Sequence, residues 1–199
     1  MDRYTITFTR QFGSLGRPIA IKVAELLEIP VYDRDIVEEA ASRMNLSLAE
    51  ASDYEEKGQS GFLYMKTPLI GKTIELKEKL FETEKKIIID LAQKESCIIV
   101  GRCSDYILRE QPRHMNIFIY APFDARLKNC VETLGMEYHE AQKMIENVDK
   151  ARAAYHKRYT RFAPEALTYN QLMIDSSLLG VDDTAVMLAE IIKKKFYEE

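Results

Sequence analysis

One short segment combines glycines, a hydroxyl group and a cation at a spacing suited to binding phosphate. It reads Gly13-Ser14-Leu15-Gly16-Arg17. In the pattern G-x-x-x-x-G-K-[ST], backbone N–H groups surround phosphate oxygens, a lysine reaches the outer phosphates and a hydroxyl holds Mg²⁺. Gly16 keeps the last glycine of that pattern, and Arg17 stands where the lysine would be. The segment therefore predicts an anion-binding loop.

The same segment departs from the pattern at two flanking positions. Gln11 replaces the first glycine, and Pro18 replaces the residue whose hydroxyl would hold Mg²⁺. Any Mg²⁺ would then depend on the nucleotide, on water, or on Asp33 or Asp35. Gly-x-x-Gly pairs also occur in plain turns between a strand and a helix, so both interpretations are open at this point.

Strand-like and helix-like runs alternate along the chain. Residues 4–9 are all β-branched or aromatic, and from Pro18 onward apolar residues recur at helical spacing. The later predicted strands are 30–32, 97–100, 116–120 and 172–174. This alternation predicts an α/β fold with a parallel sheet, helices on both faces, and ligands at the carboxyl ends of the strands.

Polar residues follow several of the predicted strands. Asp33 and Asp35 come after the second strand, Gly101 and Arg102 after the third, and Asp175 after the fifth. Because the carboxyl ends of parallel strands share one edge, we expect these residues to lie near the glycine-bearing loop. Each residue type also has a structural use, since aspartates cap helices and arginines pair with core acids.

A basic segment interrupts a protein whose net charge is −4. Residues 150–161 contain three arginines, two lysines and a histidine, with no acid. Such a segment attracts a small polyanion, whereas the net charge gives no general tendency to bind nucleic acid. The alternative is a solvated helix face. Arg152 and Arg158 lie about 240° apart on a regular helix, so both reach one ligand only if the helix bends near Thr160.

The remaining composition narrows the class of protein. Cys97, Cys103 and Cys130 form no C-x-x-C pair, which predicts a reducing compartment and no structural zinc. No apolar run reaches the roughly 18 residues that span a bilayer, so we expect a cytoplasmic protein with no membrane partner. One helical stripe is predicted to be core or the surface of a homodimer: Leu76, Leu80, Ile87, Ile88 and Leu91.

Four segments together resemble the cytidylate kinase-like family, a branch of the P-loop nucleoside monophosphate kinases. They are residues 6–17, 31–33 and 98–108, followed by Asp149-x-x-Arg152-x-x-Tyr155. The resemblance runs in the same order over nearly the whole chain. It implies a P-loop NTPase-type three-layer α/β/α fold, with about five parallel strands in the order 2-3-1-4-5.

The resemblance also implies the domain organisation and the reaction. A single domain, 1–199, would carry a helical monophosphate-binding insertion at about 36–93 and a short lid at about 133–162. The implied reaction transfers the γ-phosphoryl group of ATP to a nucleoside monophosphate, most simply CMP or dCMP. ATP and Mg²⁺ are the implied cofactors, although no protein ligand for the metal is identified, and nucleotides are the implied partners.

The implied catalytic residues are four arginines. The loop 13–17 would wrap the ATP phosphates, with Arg17 in place of the lysine. Arg102 matches the arginine of the Asp-Gly-Arg-Asp motif in true cytidylate kinases, and Arg152 and Arg158 fall in the lid region. These arginines would neutralise the charge of the transferring group, which is the main catalytic task in phosphoryl transfer.

Acceptor binding is implied for Asp33, Arg102 and Asp105. Both acids that flank Gly-Arg in the motif are replaced here, by Val100 and Cys103, which removes a usual metal anchor. A second hypothesis is therefore a nucleotide-binding or sensing protein that has lost catalysis. A third hypothesis, a nucleic-acid-binding protein that uses the basic segment, is disfavoured by the net charge.

Overall fold

Five parallel strands form one sheet. A computed structural model describes residues 3–51 and 69–197. The strands are β1 (Thr5–Arg10), β2 (Val31–Tyr32), β3 (Cys97–Val100), β4 (His114–Tyr120) and β5 (Leu172–Asp175). Their order across the sheet is β2-β3-β1-β4-β5, and each neighbouring pair is parallel. The predicted α/β fold and its strand order are confirmed.

Helices connect the strands and cover both faces of the sheet. They are α1 (Gly16–Leu27), α2 (Arg34–Met44), α3 (Leu69–Lys94), α4 (Ser104–Ile107), α5 (Phe123–Glu132), α6 (Tyr138–Thr160) and α7 (Gly180–Tyr197). A short 3₁₀ turn at Leu167–Tyr169 precedes β5. Helices α1 and α7 pack on one face of the sheet, and α2 and α3 pack on the other.

The first face is built on the helical spacing of α1. Ile19, Val23 and Leu27 recur every four residues and are buried in one cluster with Ile6 and Phe8 of β1. Burying an aliphatic side chain of this size contributes about 2 kcal/mol, so this layer fixes the position of α1 on the sheet. The start of α1 is thereby held close to the carboxyl end of β1.

The opposite face of the sheet is covered by the apolar helical stripe that the sequence predicts to be core or the surface of a homodimer. Leu80, Ile87 and Ile88 of α3 are buried with Ile99 of β3 and Ile36 of α2. These buried members of the stripe therefore pack inside the molecule. The helix joins the insertion region to the sheet.

Several boundaries differ from the sequence-based expectation. Strand β1 is shifted by one residue from the expected 4–9, β2 begins at Val31 and not at residue 30, and β5 extends to Asp175. Helix α1 begins at Gly16, before the expected start at Pro18, so Arg17 lies in its first turn. Strand β4 begins at His114 and not at Asn116, because pairing with β1 starts two residues before the apolar run.

The regions predicted as insertion and lid are mainly helical where the structure describes them. Residues 52–68 of the predicted insertion lie outside the described residues, and α3 begins at Leu69. Helix α6 occupies most of the region 133–162 and is continuous to Thr160. In the described ranges, we find no helix that is both long and apolar enough to cross a membrane.

Candidate active site

The loops that follow β1, β2 and β3 meet at one edge of the sheet. Strand β3 lies between the other two, with Phe8 paired to Val100 and Tyr32 paired to Ile99. Because all three strands are parallel, their carboxyl ends lie side by side. The sequence-predicted residues Arg17, Asp33 and Arg102 are on these loops or in the first helical turn after them.

Arg10, the last residue of β1, lies across the end of β3. A Cβ atom added to Gly101 would be only 2.3 Å from Nη1 of Arg10, so the guanidinium rests against this glycine. Its Nη2 is 3.8 Å from Oδ1 of Asp33, and 18% of the side chain is exposed. Burial, followed by the charge of Arg152, lowers the pKa of Arg10 to about 9. Arg10 therefore remains charged at neutral pH.

Asp33 binds arginine and does not cap a helix. It occupies the position before α2, but its side chain makes no capping hydrogen bond. Oδ2 instead accepts a 2.7 Å hydrogen bond from Nε of Arg17. The Asp33 side chain is 12% exposed, whereas that of Arg17 is 57% exposed. The acid is thus enclosed while its partner extends towards solvent.

Three further arginines act on Arg10, and two of the four, Arg10 and Arg17, pair with Asp33. The charges of Arg17, Arg102 and Arg152 all oppose the charge on Arg10, and Asp33 supports it. Arg152 also donates from Nη1 to the backbone carbonyl of Arg10, at 3.2 Å. Among the described residues whose charges act appreciably on Arg10, Asp33 is the one acid. Four positive charges facing one negative charge favour binding of an anion.

The loop after β1 presents its N–H groups to the same edge. Leu15 has left-handed backbone angles (φ 57°, ψ 22°) and is followed directly by the first turn of α1. A left-handed residue before a right-handed one turns successive N–H groups towards a common concavity that binds anions. The N–H groups of the first turn also have no acceptor within the helix. The backbone of Leu15, Gly16 and Arg17 is therefore suited to hold a phosphate.

The carbonyl side of this loop is fixed to the rest of the protein. Four consecutive carbonyl oxygens each accept a side-chain hydrogen bond of 2.6 to 3.3 Å: Gln11 from Ser14, Phe12 from Arg126, Gly13 from Asn129, and Ser14 from Ser176. In a trans peptide the N–H points opposite to the C=O, so the N–H of Leu15 faces away from the contact between the Ser14 carbonyl and Ser176. The contacts of its carbonyl oxygens therefore hold the loop in an orientation that suits anion binding.

Helix α6 fixes the loop through Asp149. Its Oδ1 accepts a 2.7 Å hydrogen bond from the N–H of Phe12. Its Oδ2 forms an ion pair with Arg126, whose side chain is only 10% exposed. Arg126 in turn donates to the carbonyl of Phe12. A charged network thus links α5, α6 and the loop.

The loop after β3 has an unusual backbone. Gly101, Arg102 and Cys103 are consecutive and have φ of +80°, +59° and +52°. A side chain in this region costs roughly 1–2 kcal/mol per residue, so the surrounding contacts must hold the turn. The N–H of Gly101 donates to the carbonyl of Phe8, and the N–H of Ser104 donates to the carbonyl of Gly101. Backbone strain of this kind is commonly found at functional sites.

Asp105 is buried against a histidine. His156 Nε2 lies 2.8 Å from Oδ2 of Asp105, and the two side chains are 5% and 4% exposed. His156 Nδ1 lies 3.0 Å from the carbonyl of Phe162. Burial lowers the pKa of His156, but the hydrogen bond and charge of Asp105, with the Phe162 carbonyl, outweigh burial and raise it. The Asp105 carboxylate and the Phe162 carbonyl can only accept, so they favour the protonated histidine, and Nδ1 also lies 3.0 Å from the Thr160 hydroxyl.

The basic segment is divided: Arg152 and His156 are partly or fully buried, whereas Lys150, Lys157, Arg158 and Arg161 are exposed. Arg158 pairs with Glu78 of α3 at 2.6 Å, while Arg152 reaches the carbonyl of Arg10. The structure therefore brings Arg152 to the sheet edge and directs Arg158 to another helix. It brings Arg17, Asp33 and Arg102 together, and it encloses Asp105 beneath them.

The residues at this edge do not suit a protein-held Mg²⁺. Ser14, the one hydroxyl of the loop 13–17, is fully buried and donates to the carbonyls of Gln11 and Ile119. Pro18 has no hydroxyl, and Asp33 is bound to arginine. Over residues 3–51 and 69–197, no group of three or more His, Cys, Asp or Glu residues is arranged to hold a metal ion. The side chains fit phosphate and not the metal.

Sequence reasoning missed several residues that build this site: Arg10, Arg126, Asp149 and His156. Arg10 could have been found from the sequence, because the last residue of a parallel strand lies at the ligand-binding edge of the sheet. Asp149 belongs to one of the segments that carry the family resemblance, but its partner Arg126 is 23 residues away. The pairing of His156 with Asp105 spans 51 residues and has no local pattern.

Comparison with known proteins agrees with the fold and the resemblance. A model of the cytidylate kinase-like family matches residues 5–178. The chain matches none of the curated proteins by sequence. An uncharacterized protein from Eubacterium ventriosum is similar in structure, with a TM-score of 0.73 and 25% identity, over 96% of this chain and 99% of that one.

Two kinases of small molecules share the fold at low identity. Shikimate kinase from Acinetobacter baumannii has a TM-score of 0.55 and 12% identity, over 98% of this chain and 95% of that one. A gluconokinase from Sinorhizobium meliloti has a TM-score of 0.53 and 12% identity, over 100% of this chain and 99% of that one. At this identity the similarity establishes the fold alone.

Proposed function

Because the chain belongs to the cytidylate kinase-like family, we propose that it transfers the γ-phosphoryl group of ATP to a nucleoside monophosphate. CMP and dCMP are the first candidate acceptors. The observation that carries the proposal is the clustering of Arg17, Arg102 and Arg152 around Arg10 beside the start of α1, with Asp33 bound by Arg10 and Arg17. Positioning and neutralising phosphate groups is the main requirement of this reaction.

The ATP phosphates are proposed to bind at the loop after β1. The N–H groups of Leu15, Gly16 and Arg17 would hold phosphate oxygens, and the positive end of the α1 dipole would add to the attraction. Arg17 is exposed enough to reach the outer phosphates while it keeps its hydrogen bond to Asp33. This arrangement gives Arg17 the role that a lysine has in the usual motif.

The acceptor phosphate is proposed to bind at the loop after β3. Arg102 projects from the strained turn at this edge, and its guanidinium can bind a phosphate through two parallel hydrogen bonds. Asp33 would orient Arg17 next to the acceptor. Asp105, enclosed by His156, would hold the turn that carries Arg102 and act as a positioning residue.

The chemistry needs charge neutralisation more than proton transfer. An oxygen of the acceptor phosphate attacks the γ-phosphorus, while the bond from that phosphorus to the β–γ bridging oxygen breaks. ADP leaves with the electrons of the broken bond. The attacking oxygen is already an anion at neutral pH, so no general base is required. Arg10, Arg102 and Arg152 would reduce the repulsion between the two anions, and Arg158 would join them only by leaving Glu78.

A transfer assay tests this proposal. Purified protein is incubated with ATP, Mg²⁺ and each of CMP, dCMP, UMP, AMP and GMP, and the nucleoside diphosphate product is separated and measured. We expect product from at least one acceptor. Arg102→Gln should lower its rate by about 100-fold, the usual effect of removing one group that stabilises the transition state. Arg3→Gln, at an exposed arginine before the amino end of β1, is the matched control.

Absence of product with every acceptor, from folded protein that binds ATP, would overturn the transfer reaction. It would favour the second candidate, a nucleotide-binding or sensing protein without turnover. One observation supports that candidate: Asp33 and Arg158 are already engaged by Arg17 and Glu78.

A further inference from the structure

Protein ligands for Mg²⁺ are oxygens, usually carboxylates or hydroxyls. At the carboxyl edge of β1, β2 and β3, the oxygens of Asp33 and Ser14 are committed to the protein, and the Ser104 hydroxyl, which has no hydrogen-bond partner among the described residues, is buried away from solvent. Asp33 accepts a hydrogen bond from Arg17, and the hydroxyl of Ser14 donates to two backbone carbonyls. Asp35 is exposed and lines a separate groove of about 300 Å³ between α2 and α3.

A guanidinium extends over the strand ends at this edge. Arg10 leaves the end of β1, rests against Gly101 at the end of β3, and approaches Asp33 after β2. It therefore lies between the loop proposed for ATP and the turn that carries Arg102. A side chain at position 101 would overlap Nη1 of Arg10, so the glycine makes room for the guanidinium.

We propose that the arginine cluster of Arg10, Arg17, Arg102 and Arg152 replaces a protein-held Mg²⁺, so that the site binds nucleotide phosphates as metal-free anions. The inference rests on the proposed function in taking a nucleotide as the ligand. At Arg10, the charges of three neighbouring arginines outnumber the one described acid, Asp33. A metal ion partly neutralises the phosphates of ATP, so it lowers their attraction to this cluster. Planar guanidinium groups also bind phosphate oxygens in pairs, which fixes the phosphate in place.

On this inference, Mg²⁺ either leaves the affinity for ATP unchanged or lowers it. A site that holds the metal through its own oxygens behaves in the opposite way, because the metal then bridges nucleotide and protein. This difference appears in binding alone and does not require turnover.

Titration calorimetry tests the inference. ATP is titrated into the full chain at constant ionic strength, once with excess Mg²⁺ and once with EDTA. We expect the dissociation constant in EDTA to be equal to or lower than that in Mg²⁺. Arg10→Gln should weaken binding in EDTA by about 10-fold or more, which is typical for loss of charge-assisted hydrogen bonds. Arg3→Gln should leave the affinity unchanged.

Arg10→Lys separates loss of charge from loss of shape. It keeps the charge but not the planar fork, so we expect an affinity between those of the wild type and Arg10→Gln. Thermal unfolding of each variant identifies the folded preparations that are used. If Arg10→Gln does not fold, the test uses Arg10→Lys alone. Equal affinity of Arg10→Lys and the wild type for ATP would then overturn the role of Arg10.

The outcomes separate this inference from the proposed function. Tight ATP binding that requires Mg²⁺ would overturn the inference and leave the transfer reaction intact. Metal-independent binding that is lost in Arg10→Gln supports the inference even where no acceptor is phosphorylated. An absence of ATP binding under both conditions would overturn both.

Discussion

The loops after β1 and β3 both contain a left-handed glycine, and each is tethered to helix α6. At Gly13 (φ +75°), an added Cβ would meet the carbonyl oxygen of Arg126 and Sγ of Cys130, each at 2.9 Å. At Gly101 (φ +80°), it would meet only the guanidinium of Arg10. The first glycine allows close packing of backbone against α5. The second makes room for the side chain of Arg10, which faces the proposed ligand. The glycine of the β1 loop therefore serves packing, and the glycine of the β3 loop serves ligand binding.

The contacts that hold the two loops to α6 differ as well. Asp149 holds the β1 loop through a backbone N–H and through Arg126. The buried pair of His156 and Asp105 holds the helical turn that follows the β3 loop, and its charge depends on pH. Disrupting each tether and substituting each glycine therefore tests the comparison.

The largest effect on stability is expected from His156→Gln. The substitution leaves the carboxylate of Asp105 buried without a cationic partner, which typically costs about 3 kcal/mol or more. The raised pKa of His156 means that its contribution is fully present below the unfolded-state pKa and is lost as pH rises through the folded-state pKa. The stability difference between wild type and variant should therefore shrink as pH increases.

Urea unfolding of both proteins over a range of pH measures this difference. Burial lowers the pKa of His114 to about 4, so His114 favours the folded state less as the solution is acidified, but this change is common to both proteins. A stability difference that stays constant with pH would show that the His156–Asp105 pair is not charged.

The next largest effect is expected from Asp149→Asn. The variant keeps an acceptor for the N–H of Phe12 but leaves the nearly buried Arg126 without its acid. Because Asp149 is partly exposed, we expect a loss of about 2 kcal/mol. Asp182→Asn, which disrupts an exposed pair with Lys22, should cost much less, because solvent screens exposed ion pairs. Equal losses in the two variants would contradict the tethering role of Asp149.

Gly13→Ala is expected to destabilise the protein by about 2 kcal/mol. Its Cβ would approach a backbone oxygen that cannot move independently, in a backbone conformation that disfavours side chains. Chemical denaturation measures the loss. A stability equal to that of the wild type would show that the β1 loop is not held against α5.

Gly101→Ala is expected to have the smallest effect on stability and a clear effect on binding. The overlap is with the end of a flexible side chain, so we expect a loss of about 1 kcal/mol from the backbone conformation. Displacing Arg10 should weaken ATP binding by about 10-fold, as for loss of its charged hydrogen bonds. The comparison fails if Gly101→Ala is strongly destabilised while Gly13→Ala is not.

The sequence predicted the parallel α/β sheet and the position of several site residues because both depend on local patterns, whereas the strand order was implied by the family resemblance. Buried strands such as Cys97–Val100 are continuous apolar runs, and parallel topology then brings Asp33 and Arg102 to one edge. Arg17 follows from the spacing of the loop. These predictions needed no knowledge of contacts distant in sequence.

Contacts between distant residues account for what the sequence could not provide. The pair of Arg158 with Glu78 joins residues 80 apart, and that of Asp105 with His156 joins residues 51 apart. Neither has a spacing signature. The early start of β4 was hidden because the polar His114 precedes the apolar run, although it pairs with β1.

A structure determined with a non-hydrolysable ATP analogue tests the central claim most directly. We predict phosphate oxygens at roughly 3 Å from the N–H groups of Leu15, Gly16 and Arg17, with the guanidinium of Arg10 beside the terminal phosphate. An analogue bound elsewhere, such as the groove between α2 and α3, with no phosphate at the start of α1, would contradict the account.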